Sequence, residues 1–185
     1  MKTSRFDCLR LDVNALAKAA ASLEGSWPLA SLRRLAASAH PDTPPGDSDP
    51  VQWSARGERR ERGGNVPEIT LHLTARASLR LQCQRCLGPV DERVEVDRLL
   101  RFVPGEQQAA ALDIDSEDDV LELTPALDLR ELAEDELLLA LPLVPRHERC
   151  PHPLVTGTLD DNVVVSAPPH PFAALQALKK PGDAH

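Results

Sequence analysis

The sequence has few aromatic residues and no long apolar segment. Its 185 residues include three Phe, two Trp and no Tyr, although 42% of them are apolar. We therefore expect a core filled by Leu, Ala and Val. The longest strongly apolar run, residues 137–144, is far shorter than the roughly 20 residues that a membrane helix requires. The N-terminus also lacks the apolar region of a signal peptide. The expectation is a cytoplasmic protein with no membrane partner.

Motifs of catalysis are missing as well. The chain contains no glycine-rich loop suited to phosphate and no Ser/His/Asp arrangement typical of nucleophilic catalysis. A run of acids within residues 131–136 falls in the first turns of a predicted helix, where the helix dipole accounts for it. We therefore predict a binding protein with no catalytic residues, no enzymatic activity and no small-molecule substrate.

Basic residues are outnumbered by acidic ones. The chain has 29 Asp and Glu against 21 Lys and Arg, which gives a formal net charge of −8. A protein that coats nucleic acid through its overall field would carry the opposite charge. The balance favours partners with basic surfaces, and it still allows a local basic face.

Alternating apolar residues predict the centre of the fold. Every second residue in 69–81 is apolar, which is typical of a long strand with one buried face. A Gly-Pro turn follows, and apolar residues of one parity recur within 94–102. The two runs predict a long antiparallel hairpin. Weaker patterns predict strands at 51–58 and 120–123.

Two short helices are predicted before these strands. Residues 12–25 form an Ala-rich helical pattern, with Asp12 or Asn14 available as a cap and Gly25 as its end. Residues 27–41 predict the second helix, which has a Pro near each end.

The region after the hairpin predicts one further helix. Residues 105–119 are acidic and have no stable period, so we expect a mobile excursion. Asp128 then precedes a helix over residues 129–141 and has the spacing of a capping box with Glu131. The predicted fold class is α+β: an antiparallel β-sheet built on the long hairpin, flanked by N-terminal helices and one later helix, with an extended C-terminal tail.

The domain organisation follows from the distribution of proline. We predict one α+β domain over residues 1–150 and a Pro-rich tail over residues 151–185 with a short terminal helix. Phe172, Leu175 and Leu178 share one side of that helix, which makes them candidate partner-binding residues. Such a segment docks either on its own domain or in a groove of a partner, and both options stay open.

Four residues make a candidate metal site. Cys83-x-x-Cys86 lies at the predicted hairpin tip, where the following Leu-Gly resembles a zinc knuckle. His147 and Cys150, with His152 nearby, would supply the other half. Thiolate and imidazole groups suit tetrahedral zinc. Because 63 residues separate Cys86 from Cys150, only the fold can bring the two halves together.

Two other interpretations of the Cys-x-x-Cys pair remain. The thiols are inert in a turn, or they perform thiol–disulfide exchange as in a thiol oxidoreductase. Redox thiols need a lowered pKa, which a helix N-terminus commonly provides. Since extended segments flank this pair, we expect no such stabilisation. Cys8, next to an apolar residue, is expected to be a buried small side chain.

Three segments together resemble a known bacterial family. They are "LQCQRCLGPV" (81–90), "LDLRELAEDELLLALPLVPRH" (127–147) and "HPFAALQALK" (170–179). Their order and spacing are similar to the YceD family, the large ribosomal RNA subunit accumulation proteins. The resemblance implies a role in the synthesis, processing or stability of large-subunit (23S) ribosomal RNA, and it implies no known enzymatic activity. Where the family motif usually begins with Asn, this chain has His170, a weaker helix cap.

The resemblance leaves two mechanisms for an acidic protein. In one, a restricted basic face around the hairpin contacts the RNA. Its candidate nucleic-acid-binding residues are Arg76, Arg80, Arg85 and Arg93, with Arg101 nearby. In the other, which the charge favours, the acidic surface holds a basic ribosomal protein or an assembly factor. A zinc-scaffolded adaptor unrelated to ribosomes is a further alternative.

Overall fold

The protein contains a five-stranded sheet with helices on both faces. The computed structural model describes residues 6–60, 67–114, 116 and 119–151. In this part of the chain the strands are β1 (Ser22–Pro28), β2 (Pro50–Arg60), β3 (Glu68–Gln82), β4 (Pro89–Val103) and β5 (Asp119–Glu122), and the helices are α1 (Val13–Lys18), α2 (Arg33–Ala37), α3 (Glu106–Asp113) and α4 (Leu129–Leu139). The sheet order is β1-β2-β3-β4-β5. All neighbours are antiparallel except β4 and β5, which are parallel. The α+β fold class is confirmed.

The β3–β4 hairpin forms the middle of the sheet, as predicted. Its register runs from Ile69 opposite Phe102 to Leu81 opposite Val90. Apolar residues of both strands point to one face and are buried, and we call this the core face. Charged and hydroxyl side chains point to the other face, which we call the polar face. The period of two in the sequence therefore sets which face is buried.

Helix α1 lies against the core face over β2 and β3. Asp12 caps it as predicted, because its carboxylate accepts a hydrogen bond of 2.9 Å from the N–H of Ala15. The close approach of α1 depends on Gly57 in β2. A Cβ atom at that position would lie 2.7 Å from the backbone nitrogen of Ala17. Only glycine lets the helix and the strand meet at this distance.

Helix α4 holds the short helix α2 in place. Asp128 caps α4 as predicted by accepting hydrogen bonds from the N–H groups of residues 130 and 131. The carboxylate of Glu134 accepts hydrogen bonds from the N–H of Arg34 at 2.6 Å and of Leu35 at 3.1 Å. It also pairs with the Arg34 guanidinium at 3.1 Å. An acid of one helix thus satisfies the first N–H groups of another, because the residue before α2 provides no side-chain cap.

The prediction of two N-terminal helices was partly wrong. Gly25 does not end a helix, and residues 27–41 are not one helix; strand β1 occupies Ser22–Pro28, followed by a short 3₁₀ turn and the five-residue α2. The indole rings of Trp27 and Trp53 stack with centroids 4.5 Å apart. The Trp53 ring also lies over Gly25, within 3.0 Å of where a Cβ would be. This packing of aromatic rings across two strands overrides the local helical pattern.

The prediction of a mobile excursion in residues 105–119 was also wrong over its first half. Residues Glu106–Asp113 form α3. Ala109 of this helix is buried against Val103 and Val120, in a small apolar cluster separate from the main core. The predicted strand after it is confirmed as β5, which pairs with the last residues of β4. The predicted later helix is confirmed as α4.

The predicted Pro-rich tail and terminal helix, with Phe172, Leu175 and Leu178, lie outside the described residues. The division into residues 1–150 and 151–185 therefore stays a prediction. Among the helices that the structure describes, none is both long enough and apolar enough to cross a membrane.

We predict that Gly57→Ala lowers the free energy of unfolding by about 1–3 kcal/mol, because the added methyl group meets the backbone of α1. Gly46→Ala is the matched control. Its Cβ would find its nearest neighbour at an ordinary 3.7 Å, so we expect a change within about 0.5 kcal/mol. Urea denaturation of both variants measures the difference, and equal destabilisation would contradict this account.

Candidate metal centre

The structure brings together the four side chains that the sequence predicts as metal ligands. The sulfur atoms of Cys83, Cys86 and Cys150 and a ring nitrogen of His147 all lie within 4.8 Å of one another. Cys83 is fully buried and the other three are partly buried. His152 lies outside the described residues. A cluster of three thiols and one imidazole is a ligand set typical of structural zinc.

The hairpin tip provides the first half of the cluster. The N–H of Cys83 donates to the carbonyl of Gly88, and the N–H of Leu87 donates to the carbonyl of Cys83, both at 2.9 Å. Leu87 has a φ of 60°, the left-handed conformation that a tight turn requires. The turn aims both sulfurs of the Cys-x-x-Cys pair at the same side.

The chain after α4 supplies the second half. Helix α4 packs on β3 and β4, so the segment that follows it arrives beside the tip. The N–H of Gln84 donates to the carbonyl of Pro145 at 2.9 Å, which ties the two segments together. This contact closes the gap of 63 residues between Cys86 and Cys150.

Two ligand–ligand distances in the cluster fit tetrahedral zinc. With zinc–sulfur bonds of about 2.3 Å, two sulfur ligands lie about 3.8 Å apart, and a sulfur and an imidazole nitrogen about 3.5 Å apart. The sulfurs of Cys83 and Cys150 are separated by 3.8 Å. The sulfur of Cys86 lies 3.4 Å from Nδ1 of His147. Both edges agree with the expected tetrahedron.

A backbone carbonyl orients the imidazole. Nε2 of His147 lies 2.9 Å from the carbonyl oxygen of Pro89. Since a carbonyl only accepts hydrogen bonds, Nε2 carries the proton and donates it. Nδ1 therefore presents its lone pair to the sulfurs, as a metal ligand must.

The environment of Cys83 differs from the sequence-based expectation. Burial raises the pKa of its thiol, but hydrogen bonds from the backbone N–H groups of Cys86, Arg85 and His147 outweigh burial and lower the pKa to about 5. The expectation that flanking extended segments leave the thiolate unstabilised was therefore wrong. Consecutive N–H groups of the turn do what a helix N-terminus does elsewhere.

The second cysteine of the pair behaves oppositely. The backbone N–H of Gly88 lowers the pKa of Cys86, but burial and the neighbouring sulfurs of Cys150 and Cys83 raise it further, so the net change is upward. Three thiolates at this spacing repel one another. A divalent cation at their centre removes that repulsion and allows all three to ionise.

Arg85 lies against the cluster. Its Nε donates to the sulfur of Cys150 at 3.0 Å, and its guanidinium also reaches the carbonyls of His147 at 3.3 Å and Glu148 at 3.4 Å. Three thiolates and a divalent ion together leave one negative charge, which this guanidinium balances. Arg85 was predicted among the nucleic-acid-binding residues, and the structure places it at the metal centre, a position in which it supports the ligands.

The other predicted nucleic-acid-binding arginines lie on the polar face with polar or acidic neighbours. Arg80 pairs with Asp91 at 3.1 Å, and Arg93 pairs with Glu95 at 2.7 Å. Arg76 donates to the side chain of Gln52 at 2.6 Å. Arg101 pairs with Glu68 at 3.5 Å. Their contact with nucleic acid stays a prediction.

His40 supports the turn and was missed by the sequence reasoning. It is buried, its Nε2 lies 2.9 Å from the carbonyl of Leu87, and its Nδ1 accepts from the N–H of Asp42 at 3.2 Å. The sequence placed it at the end of a helix, where no motif marked it. Cys8 was expected to be buried; it is half-buried and packs against the core. It is not part of the cluster of potential metal ligands.

We predict that the protein binds about one zinc ion per chain. His147→Ala should weaken zinc binding by more than the roughly 10–100-fold typical of losing a supporting contact, because it removes a ligand. Competition with a coloured chelator measures the affinity. Cys8→Ser is the matched control, because it removes a thiol outside the cluster; equal weakening in both variants would exclude this site.

A second prediction concerns the metal-free protein. At neutral pH the Cys83 side chain should be a thiolate, since its pKa of about 5 lies below that pH. Ultraviolet thiolate absorbance, followed against pH after chelation, should show one transition near pH 5. The transition should vanish in Cys83→Ser and persist in Cys8→Ser. Titration of every thiol near its ordinary pKa would show that the turn does not stabilise the anion.

Comparison with known proteins places this chain in a family. Residues 71–179 match the family described as Large ribosomal RNA subunit accumulation protein YceD. A protein of Haemophilus influenzae with that same name is 36% identical over 105 residues, which cover 54% of this chain and 59% of that protein. The match thus spans less than two thirds of the length of this relative. No solved structure matches the chain. Because the family match covers more than half of the sequence, and includes most of the hairpin, α4 and the predicted ligands, this protein belongs to the YceD family.

Proposed function

We propose that this protein promotes the accumulation of large-subunit ribosomal RNA in the cytoplasm by binding a partner, without catalysing a reaction. Family membership supports the role, since the named relative is a large ribosomal RNA subunit accumulation protein. The observation that carries the mode of action is the distribution of charge along the sequence and on the described residues.

A basic ribosomal protein or assembly factor is the partner that this distribution favours. The arginines of the polar face have acids within the same face, so little positive field is left to attract RNA. Acidic residues, by contrast, are concentrated in residues 106–119, which contain six acids and no base. Within this region Glu106 and Asp119 are exposed, as is Glu122 nearby. A concentrated acidic segment attracts basic surfaces.

The metal centre has a structural role in this proposal. All four tetrahedral positions would be taken by protein ligands, which leaves none for a substrate, so the site resembles structural rather than catalytic zinc. When bound, zinc would join the hairpin tip to the segment after α4. Cys83, Cys86, His147 and Cys150 would hold it, and Arg85 would balance its charge.

A thiol oxidoreductase is the second candidate, because the lowered pKa of Cys83 is a property of attacking thiols. The burial of Cys83 argues against oxidoreductase activity. Cys83 has 0% of its surface exposed, and attack on a substrate disulfide requires access to the sulfur. Stabilisation of a buried thiolate is what a metal ligand needs.

The role can be tested in cells that lack the chromosomal gene. We predict that the ratio of large-subunit to small-subunit ribosomal RNA falls in these cells and is restored by the intact gene. The triple variant Glu106→Gln/Asp119→Asn/Glu122→Gln should restore it poorly, because it removes three exposed negative charges. The matched variant Arg76→Gln/Arg80→Gln/Arg93→Gln should restore it fully.

Affinity capture separates the two mechanisms. Basic large-subunit proteins should remain bound to the tagged protein after nuclease treatment, and the acidic triple variant should lose them. If nuclease removes every specific partner and the arginine variant no longer captures RNA, direct RNA contact replaces the protein-binding mechanism. An unchanged ribosomal RNA ratio in the deletion strain would overturn the role itself.

A further inference from the structure

Strand β4 has a long edge that no described strand covers. Its 15 residues pair with β3 along almost their full length. On its other side, β5 pairs only with Leu100–Val103. Among the described residues, no strand pairs with β4 on that side between residues 89 and 99. An uncovered edge of this length is a template for pairing with another strand.

The backbone groups that point outward can be identified from the hydrogen bonds at both ends. The N–H of Cys83 donates to the carbonyl of Gly88, so the backbone carbonyl of residue 88 faces β3. Because backbone groups alternate along a strand, the carbonyl of residue 89 faces away from β3. The carbonyl of Pro89 accordingly meets His147, and the carbonyl of Val103 accepts from Leu123. The backbone N–H and C=O groups of the odd-numbered residues of β4 therefore face the edge opposite β3. In the uncovered part they are Asp91, Arg93, Glu95, Asp97 and Leu99.

The limits of the uncovered edge determine how a second copy would pair with it. Strand β5 blocks one end from Leu100 onward. The segment 146–149 borders the other end, because His147 contacts the carbonyl of Pro89 and the segment lines a cleft together with residues 90–92. The open segment is thus 91–99, and its midpoint is Glu95. An antiparallel copy centred on Glu95 places the whole segment opposite itself. The five outward residues would then exchange about ten backbone hydrogen bonds.

This register also pairs opposite charges. On the polar face, Arg93 lies opposite Asp97 of the second copy. Within one chain, Arg93 also pairs with Glu95 and Asp97 with His72, so the contacts between the copies would add to these exposed pairs. On the core face, Glu92 lies opposite Arg98 of the second copy, whose guanidinium also pairs with Glu136 of its own α4 at 3.1 Å. Because the axis is two-fold, each contact occurs twice. Opposite charges across an antiparallel pair stabilise it, and like charges destabilise it.

The neighbouring registers are less favourable. Moving the centre to residue 96 puts Glu95 opposite Asp97, and moving it to residue 94 puts Asp91 opposite Asp97. In the centred register, Val94 and Val96 lie opposite each other across the two chains and extend the apolar row of the core face. The single unfavourable contact is Glu95 opposite Glu95 on the axis. The geometric midpoint and the charge pattern thus select the same register.

We propose that two copies of this protein associate through the 91–99 edges of their β4 strands, antiparallel and centred on Glu95, to form one continuous sheet. The two carboxylates on the axis keep the association reversible, since they repel at the closest point of contact. The self-complementary pattern favours a second copy over an unrelated extended peptide. The 91–99 edge borders the metal centre at one end and the acidic segment at the other, but it shares no residue with either, so the proposal does not depend on the proposed function.

Sedimentation of the full chain over roughly a hundredfold range of concentration tests the proposal. The mass should rise with concentration from the 20.2 kDa of one chain to about twice that value. Glu95→Pro should weaken the dimer more than about tenfold, because it removes an outward N–H and leaves the β3 pairing intact. Glu95→Thr should strengthen it, because it removes the repulsion on the axis and favours cross-strand packing.

Exchanging the charges of residues 93 and 97 tests the proposed register a second time. Arg93→Glu alone should weaken the dimer, because it faces Asp97 of the other chain, and Arg93→Glu/Asp97→Arg should restore it. Arg56→Glu, a matched change on β2 away from this edge, should have no effect. Thermal melting checks that each variant is folded, and the charge variants decide the matter if the proline variant is not. A monomer at every concentration, or a dimer insensitive to all changes at residues 93, 95 and 97, would overturn the proposal.

Discussion

The pairing of β3 with β4 is the constraint on which the rest of the structure depends. Fourteen residue pairs in one register, from Ile69–Phe102 to Gln82–Pro89, put the apolar side chains of both strands on the core face. A shift of either strand by one residue would turn all of that strand's apolar side chains to the polar face. The same register places the hairpin tip at the end of the sheet, where α4 and the segment after it can reach it.

The metal centre is a consequence of that arrangement. Cys83 is at the end of a strand whose register is fixed by burial, and three backbone N–H groups converge on its sulfur. Cys150 and His147 arrive because α4 packs on the same strands, and Pro145 anchors their segment to Gln84. Ligands held in this way need little rearrangement to bind a tetrahedral ion, so binding energy would go into joining the two segments.

The tertiary structure also decides which charged side chains are paired within the protein and which remain available to a partner. On the sequence, the hairpin arginines look like a basic face and the acids of α4 look like ordinary first-turn residues. In the fold, Arg80 and Arg93 have acids beside them, and Glu134 holds the N-terminus of α2. Arg85 is exposed like the others, but it donates to the sulfur of Cys150 and so lies beside the thiol cluster. A count of charges therefore predicts the sign of the overall field, and only the packing shows which charges remain to attract a partner.

The sequence by itself determined the hairpin, its buried face, the capped helix α4 and the candidate ligands. These features depend on local signals: a period of two, a capping Asp and the chemistry of Cys and His. It did not determine β1, α3, the supporting role of His40 or the low pKa of Cys83. Strand β1 forms because Trp27 stacks on Trp53 across two strands, and α3 forms because Ala109 is buried against Val103 and Val120. Each of these contacts joins residues from different strands and helices. The tertiary structure decides them because their energy exists only once those elements have met.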